Sequence, residues 1–440
     1  MSGVEIGLLG LAVMLVLMFI RVPIAVAMML TGIGGYMFLA GVDPALNHLK
    51  TGVFWRFSTY DLAIIPMFLL MGEFAAGAGL STSLFKAANT FFGHRRGGMA
   101  MSVIGACAGF GAICGSSLAT ASTMTRVALP ELREAGYGLP LSTGALAAGG
   151  TLGILIPPSV ALVIYAIIVE ANIVALFAAA MVPALIAIVG FMLTVELYVR
   201  FNPQASPAGV PSSWKERWRA FLETWSTLLI FFLVIGGIYL GWFTPSEAAA
   251  VGALGTGVLA FGKGRMRWKG LSDAILRTAK GTAMIFLIIL GAEFLNSFLA
   301  LTRVSYVMAE AIQASGMSPF VVLLVILVFY LFLGCVMDSF SMLLLTLPIF
   351  WPMLSVLDFG MDPEHTKLWF GVLALVVIEL GLVTPPLGLN IFVIKSMAPD
   401  VPTSVIYRGV FPFILSELVR LTILILLPVV SLWLPSLMGY

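Results

Sequence analysis

The chain has very few charged residues for its length. Of its 440 residues, 10% are Asp, Glu, Lys or Arg, whereas 60% are hydrophobic, and the mean hydropathy is +1.08. A soluble domain of this size could not cover its surface with so little charge, so the composition predicts a polytopic membrane protein embedded in the lipid bilayer. The formal net charge of +2, without a long basic run, excludes nucleic acid as a partner class.

Metal-ligating and redox residues are equally scarce. The three cysteines lie within apolar segments, and the three histidines are scattered over predicted connections between helices. This pattern predicts neither a disulfide framework nor a zinc, iron or haem site. Since the sequence also lacks a Walker-type phosphate-binding loop, any transport is not driven by ATP bound to this chain. The apolar run 4–20 has no basic leader or small-residue cleavage pattern, so it is predicted to be a retained first helix.

Long apolar runs, by contrast, are abundant. A membrane-crossing helix needs about 20 mostly apolar residues. Such runs predict crossings at 4–20, 22–40, 61–79, 141–170, 173–199, 226–242, 245–262, 281–301, 368–397 and 409–435. Two longer stretches, 98–130 and 318–357, carry Gly or Asp-Ser at their centres and are each predicted to form a re-entrant hairpin. The mixed segments 44–59 and 268–280 suit amphipathic helices lying in the membrane interface.

Positive charge is concentrated in two segments, 200–219 and 263–269. The positive-inside rule places both in the cytoplasm, with the two crossings between them turning at 241–247 on the opposite side. Counting outward from these segments predicts that both termini lie outside the cytoplasm.

The two halves of the chain resemble each other. LGILIPPSVALVI at 152–164 aligns with LGLVTPPLGLNIF at 380–392, an offset of 228 residues. Similar offsets relate three further pairs: Glu73 and Glu293, Pro23 and Pro245, Pro183 and Pro412. The repeat predicts two structural halves, each with five membrane helices plus a re-entrant hairpin. Because five is odd, the halves insert in opposite orientations, and the predicted fold is an all-α inverted-topology repeat.

Two adjacent prolines interrupt an apolar run in each half: Pro157 and Pro158, then Pro385 and Pro386. Proline has no amide hydrogen and its ring clashes with the preceding turn, so two together unwind a helix. Carbonyl groups freed in hydrocarbon are costly unless a polar group satisfies them. Matched interruptions therefore predict a cavity in which bare carbonyls coordinate a small hard cation and half-helix N-termini hold an anionic substrate. The single prolines of other spans are interpreted as packing kinks.

The centres of the predicted hairpins are polar. CGSSLATAST at 114–123 offers hydroxyl and turn carbonyl oxygens, which suit sodium. GCVMDSFSM at 334–342 places Asp338, Ser339 and Ser341 in the matching position, and an intramembrane carboxylate is a functional candidate by default. The alternative interpretation, compatible with ion binding, is that these side chains cap helix ends.

Further polar residues are candidates for contacts with the ion or substrate. Thr151 and Ser159 flank the first double proline, and Thr384 and Asn390 flank the second. Arg126 is a candidate for binding a substrate carboxylate, although it could instead extend to the membrane interface. The predicted substrate-binding residues are Ser116, Ser117, Ser159, Ser341, Asn390 and Arg126. Glu73 and Glu293, within apolar spans, are interpreted as helix anchors, with proton transfer as the alternative.

Two other functions stay open on these residues. A stand-alone sodium- or proton-coupled organic-anion transporter would share the inverted-repeat build. An intramembrane serine hydrolase would use the GSS sequence at 115–117 as nucleophile, but no histidine lies in a predicted membrane segment to serve as its base.

Six motifs spread over nearly the whole chain resemble the large membrane subunit of the tripartite ATP-independent periplasmic (TRAP) transporters. They are MFLLMGEF, GSSLATAST, LPELREAGY, GTLGILIPPS, GWFTPSEAAAVGA and LGLVTPPLGLN. The resemblance implies a sodium-coupled secondary importer of small organic acids, such as C4-dicarboxylates, keto acids, sugar acids or sialic acid, in the bacterial inner membrane. It also implies two partners, a small four-helix membrane subunit and a periplasmic substrate-binding protein. Because the chain begins at its first large-subunit helix, the small subunit is expected to be a separate polypeptide.

The resemblance also implies an elevator-type division of the chain and the position of two Na+ sites. The expected units are scaffold helices with an interfacial arm (1–60), a transport half (61–200), a cytoplasmic linker (201–225), a second scaffold pair with its arm (226–280) and a second transport half (281–440). One sodium site would comprise Gly115, Ser116, Ser117, Pro157 and Pro158, and the other Asp338, Ser339, Thr384, Pro385 and Pro386.

Overall fold

The computed structural model describes residues 2–207, 209, 211–262, 266–314 and 316–440. Within these ranges the regular structure consists of helices. Residues 263–265, part of the cationic segment predicted to be cytoplasmic, lie outside the described residues.

The first ten α-helices lie between residues 3 and 201, and a short 3-10 turn precedes the fourth. They are α1 (Gly3–Phe19), α2 (Ile24–Ala40), α3 (Val42–Phe57), α4 (Ile64–Gly77), α5 (Leu80–Phe92), α6 (Gly98–Cys114), α7 (Ser117–Glu134), α8 (Leu139–Leu155), α9 (Val160–Val169) and α10 (Ile173–Phe201).

A second series of ten helices follows in the described residues. They are α11 (Trp214–Tyr239), α12 (Pro245–Gly262), α13 (Trp268–Thr302), α14 (Val304–Ala314), α15 (Pro319–Gly334), α16 (Ser339–Ser355), α17 (Pro363–Val383), α18 (Leu389–Met397), α19 (Thr403–Leu426) and α20 (Val429–Leu437). Both helix breaks predicted at the double prolines are confirmed, since α8 and α17 each end just before the proline pair and α9 and α18 begin just after it. Both Pro-Pro peptide bonds are cis.

The structure has fewer long apolar helices than the sequence predicts crossings. In the described residues six helices are long and apolar enough to cross a membrane, or seven if α8 and α9, bent by 44° at their break, form one span. Helices α1, α2, α6, α15 and α16 are apolar but no longer than 17 residues. A helix of 17 residues is about 25 Å long, a little less than the hydrocarbon thickness, so by length alone each of these helices falls just short of a full crossing.

Several element boundaries differ from the sequence-based expectation. Helices α5 and α14 were not predicted; with 13 and 11 residues they are too short to give a crossing signal. The expected arm 268–280 and span 281–301 form the single helix α13, whereas the first arm is the separate helix α3. The run 409–435 is divided at Pro428, which precedes α20.

The linker between the two series is shorter than the predicted 201–225, because α11 begins at Trp214. A capping box fixes this start: the Glu216 amide donates to Ser213 Oγ, and the Ser213 amide donates to the Glu216 carboxylate at 2.7 Å. The connection that joins the two series is therefore 202–213.

The two series pack on each other in matched pairs. Helix α2 packs on α13 while α12 packs on α4; α8 packs on α19 while α17 packs on α10; and α9 packs on α16 while α18 packs on α7. The two helices that precede the breaks form the centre of the protein. Every residue from Leu141 to Leu155 in α8 and from Leu368 to Val383 in α17 is buried.

Glycine pairs bring each hairpin against the helix that precedes a break. A Cβ atom added to Gly381 of α17 would lie 2.7 Å from the Cα of Gly334 in α15. In the first series Gly111 of α6 and Gly153 of α8 are in the same relation, and a Cβ on Gly111 would overlap the Gly153 backbone. Only small residues permit this approach, which places each hairpin turn beside a helix break.

Candidate functional site

The first hairpin turn joins α6 to α7 through two residues. Gly115 has φ +63°, a left-handed conformation that favours glycine. Ser116 is extended, and its Oγ accepts a hydrogen bond of 3.4 Å from the Ala119 amide, so it caps α7 as the alternative interpretation proposed. Ser117 begins α7 and is 2% exposed. Its hydroxyl donates to Oε2 of Glu379 at 2.6 Å.

The second hairpin turn has the same arrangement. Asp338 caps α16 by accepting a hydrogen bond of 3.1 Å from the Ser341 amide. The next residue, Ser339, is buried and donates to Oε1 of Glu379 at 3.2 Å. The two serines that follow the capping residues therefore bind opposite oxygens of one carboxylate.

Glu379 is a residue of the candidate site that the sequence analysis did not predict. It lies on α17, one turn before the second break, and is 2% exposed. The signal was present, since it is the one charged residue of the run LALVVIELGLV at 373–383. The repeated sequence begins at the following residue, Leu380, and the position matching Glu379 in the first half is Thr151. A search for matched residues therefore could not find it.

Each hairpin turn also contacts the break of its own half. An added Cβ on Gly115 would lie 3.3 Å from the carbonyl oxygen of Pro158. In the second half the amide of Gly388 donates to the carbonyl of Cys335 at 3.3 Å. The turns and breaks thus form one cluster in which α7, α9, α16 and α18 begin and α6, α8, α15 and α17 end. Such a cluster presents partial positive charge at the helix N-termini and carbonyl oxygens without an intrahelical donor at the C-termini, which suit an anion and a cation respectively.

The two breaks differ in exposure. Pro157, Pro158 and Ser159 are buried, and Ser159 caps α9 by accepting a hydrogen bond of 3.4 Å from the Leu162 amide. In contrast, Pro385 and Pro386 are exposed.

The second break is held by three side-chain contacts. The hydroxyl of Thr384 donates to the Leu380 carbonyl at 2.6 Å. The hydroxyl of Tyr407, on α19, lies 2.8 Å from the Pro386 carbonyl oxygen. The thiol of Cys335 is 3.5 Å from the Pro385 carbonyl oxygen.

Two buried oxygens near the cluster have no hydrogen-bond partner among the described residues. One is Oδ1 of Asn390, whose Nδ2 donates to the Ala147 carbonyl at 3.4 Å, so that α18 is attached to α8. The other is Oγ1 of Thr120, which lies 2.5 Å from the position of a Cβ added to Gly153. A buried oxygen without a donor requires a polar or cationic partner.

The structure does not bring every predicted residue to this cluster. Ser341 is buried and belongs to the second turn through its amide. Arg126 is exposed and lies nine residues beyond Ser117 along α7, which corresponds to about 14 Å of helix. Its predicted role in substrate binding has no support from this position.

Glu73 and Glu293 form ion pairs with the arms. Arg277, in the first part of α13, pairs with Glu73 of α4 at 2.8 Å, and Arg56 of α3 pairs with Glu293 of α13 at 3.7 Å. Each arm thus contacts the span of the other series, in agreement with the anchoring interpretation.

This arrangement of helices is found in a known membrane transporter. The structure is similar to that of the YdaH transporter from Alcanivorax borkumensis, with a TM-score of 0.60, covering 90% of this chain and 89% of that chain at 16% sequence identity. The likeness shows the fold: this chain has the all-helical fold of that protein.

The family follows from the sequence. The family model of the tripartite ATP-independent periplasmic transporter, DctM component, matches residues 11–430. The chain is 34% identical to the C4-dicarboxylate TRAP transporter large permease protein DctM of Pseudomonas aeruginosa, over 93% of this chain and 94% of that protein. It is 30% identical to the sialic acid TRAP transporter large permease protein SiaM of Vibrio cholerae, over 91% of each.

The chain therefore belongs to the DctM family of TRAP transporter large permeases. The resemblance inferred from the six motifs is confirmed. Members of this family are membrane-embedded permeases rather than enzymes, and the intramembrane serine hydrolase is not supported.

Proposed function

We propose that this permease imports a small organic acid across the bacterial inner membrane and that the sodium gradient drives the import. The observation that carries the proposal is the cluster of hairpin turns and helix breaks, in which both turns are tied to the buried Glu379. Helix N-termini, which carry partial positive charge, and helix C-termini, which carry partial negative charge, meet there. One cavity can therefore accommodate both a carboxylate and a cation.

The oxygens of the cluster fit a sodium ion. Sodium is a hard cation and prefers oxygen ligands, and the unpartnered buried oxygens of Asn390 and Thr120 require a polar or cationic neighbour. The residues proposed to hold Na+ are Gly115, Ser116, Ser117, Pro157 and Pro158 in the first half and Asp338, Ser339, Thr384, Pro385 and Pro386 in the second. Carbonyl oxygens supply the ligands at the glycine and prolines.

The substrate class is inferred from the helix N-termini and from the relatives. C4-dicarboxylates and sialic acid, named in the relatives' descriptions, share a carboxylate group. Four helices begin at the cluster, and the backbone amides at their N-termini can bind a carboxylate group. Ser116, Ser159, Ser341 and Asn390 are proposed to contribute hydroxyl and amide groups to the same substrate.

Each packed pair of helices from the two series has a counterpart in which the series are interchanged, as α2 on α13 corresponds to α12 on α4. This pattern supports an internal two-fold relation. With the five crossings predicted for each half, we propose that this relation is an inverted repeat and that both termini lie in the periplasm. We propose that the hairpins and broken helices move together against the scaffold helices α1, α2, α11 and α12. The difference in exposure between the two breaks agrees with a site open to one side at a time. A small membrane subunit and a periplasmic substrate-binding protein complete the transporter.

Uptake by proteoliposomes that contain this chain, its small subunit and the binding protein tests the proposal. We expect accumulation of the organic acid only under an inward sodium gradient. Asp338→Asn and Pro385→Ala should each reduce sodium-driven uptake at least about tenfold while the protein stays folded. The matched controls are Asp362→Asn, at a helix cap outside the cluster, and Pro412→Ala, within α19, and both should leave uptake unchanged.

Uptake that is indifferent to sodium would refute the coupling. Normal sodium-driven uptake in both site variants would place the cation elsewhere. Uptake without any binding protein would favour the stand-alone transporter instead.

A further inference from the structure

Glu379 connects the two halves of the site. Its carboxylate accepts one hydrogen bond from Ser117 of the first turn, at 2.6 Å, and one from Ser339 of the second, at 3.2 Å. These serines are far apart in the chain and belong to hairpins that contact different helix breaks. Glu379 is thus a single group through which the positions of both turns are linked.

The charge of this carboxylate is not balanced by a basic side chain. Within the described residues none of the ion pairs includes Glu379. Arg420 and Glu417 of α19 act on it electrostatically, but these two residues pair with each other. An ionised carboxylate buried in this way requires a cation or a proton near it.

The hydrogen-bond directions have a chemical consequence for the serines. A hydroxyl group has one hydrogen and two lone pairs, and carboxylate oxygens only accept. Because Ser117 and Ser339 both give their hydrogen to Glu379, each Oγ keeps only lone pairs for any further partner. Both hydroxyls are thereby fixed as acceptors, the form in which an oxygen ligates a cation.

We propose that Glu379 is a positioning residue for cation binding at both hairpin turns: it orients the hydroxyls of Ser117 and Ser339 as acceptors and supplies the negative charge that the cation balances. This inference rests on the proposed function, since it concerns the same sodium sites, but it assigns to them a group that neither the motifs nor the internal repeat identifies.

Sodium binding can be measured without transport. The purified chain with its small subunit is titrated with NaCl at constant ionic strength, with choline as the replacement cation, and thermal unfolding is followed. A ligand that binds the folded state raises the unfolding temperature, which gives the apparent sodium affinity. In Glu379→Gln the amide group donates as well as accepts, so one serine must reverse its hydroxyl, and the charge is lost. We expect sodium affinity to fall about tenfold or more.

Glu196→Gln is the matched control, because it is the same substitution at an exposed position of the membrane helix α10. Its neighbour Val195 lies against Gly97, at the end of α6 away from the turn, so the sodium affinity of this variant should equal that of the wild type. Glu379→Met provides a second variant that leaves both hydroxyls without an acceptor, and it should lose sodium affinity to at least the same extent. If sodium does not stabilise the wild type at all, the proposed sodium coupling fails. If it stabilises wild type and Glu379→Gln equally, the coupling stands and the role of Glu379 is refuted. If neither Glu379 variant folds, the residue is structural and the inference is likewise wrong.

Discussion

The ion pair of Glu417 and Arg420 makes a quantitative prediction. Both side chains are 4% exposed, and the Arg420 guanidinium donates to the Glu417 carboxylate one turn earlier on α19. It also donates to the Pro183 carbonyl of α10 at 3.4 Å. Removal of Arg420 would leave a buried carboxylate with no countercharge, and Glu379 interacts electrostatically with that same carboxylate.

We expect Arg420→Met to lower the free energy of unfolding by about 3–5 kcal/mol, the range for a buried charge that loses its partner. The double variant Glu417→Met/Arg420→Met removes both charges and keeps similar volume. It should recover most of this loss, because a buried ion pair and an apolar replacement of similar volume are often nearly equivalent. Unfolding in mixed detergent micelles with increasing dodecyl sulfate measures both values.

Arg277→Met is the control for the substitution itself. The side chain of Arg277 is 64% exposed and that of its partner Glu73 is 30% exposed, so solvent screens this pair and we expect a loss of about 1 kcal/mol or less. Two results would contradict this reasoning. In one, Arg420→Met lowers the free energy of unfolding no more than Arg277→Met does. In the other, the double variant is as unstable as Arg420→Met. Either result would show that burial of the α19 pair does not determine its contribution to stability.

Two further predictions concern helix packing and helix capping. Gly153→Ala should displace the first hairpin turn, because the added methyl would lie 2.9 Å from the Ser116 carbonyl oxygen. We expect the variant to be destabilised by about 1–3 kcal/mol and to bind sodium more weakly in the thermal titration. Asp362→Ala should lower stability by about 1 kcal/mol at neutral pH, because it removes the cap of α17. Hydrogen bonds from the His365 and Glu364 amides lower the pKa of Asp362 in the folded protein. The contribution of Asp362 to stability is therefore complete above its unfolded-state pKa of about 3.9, and it is lost as the pH falls through its folded-state pKa.

Controls for these two are available in the chain. Gly105→Ala, on α6, would place its methyl 3.5 Å from the nearest side-chain atom and should be neutral or slightly stabilising. If Gly153→Ala is equally well tolerated, the glycine contact does not position the turn. Asp362→Asn keeps the capping oxygen, so its stability should match that of the wild type at neutral pH. Because asparagine does not titrate, the variant should lose the acid-dependent part of the capping contribution. An unfolding curve of Asp362→Ala that coincides with the wild type at neutral pH would exclude the capping role.

Much of the architecture could be read from local patterns. The apolar runs predicted α1, α2, α4, α10 and α12 closely, because a lipid-facing helix must be apolar over its whole length. The double prolines predicted both breaks, since the chemistry of proline acts on its own helix. Helices α5 and α14 were missed because short amphipathic segments of this kind have no distinctive signal in composition.

The candidate site was predicted only in part. Each turn was found from its own residues, as were the prolines and the hydroxyls that flank them. The link between the turns was not, because it depends on Glu379, which is distant in sequence from Ser117 and has no acidic counterpart in the first half. Arg126 is a suitable residue type close in sequence to the turn, but α7 places it about 14 Å of helix away from Ser117, so its role in substrate binding stays a prediction.

By itself the sequence determined that this chain lies in a membrane, where its helices break and which residues form the two turns, because each of these depends on the local cost of exposing polar or apolar groups. The tertiary structure decided which groups meet. Packing of α17 on α8 and on the second hairpin brings two serines to one carboxylate, and packing of α19 on α10 accompanies the burial of the ion pair of Glu417 and Arg420. Contacts of this kind depend on the relative positions of distant helices, which no local pattern encodes.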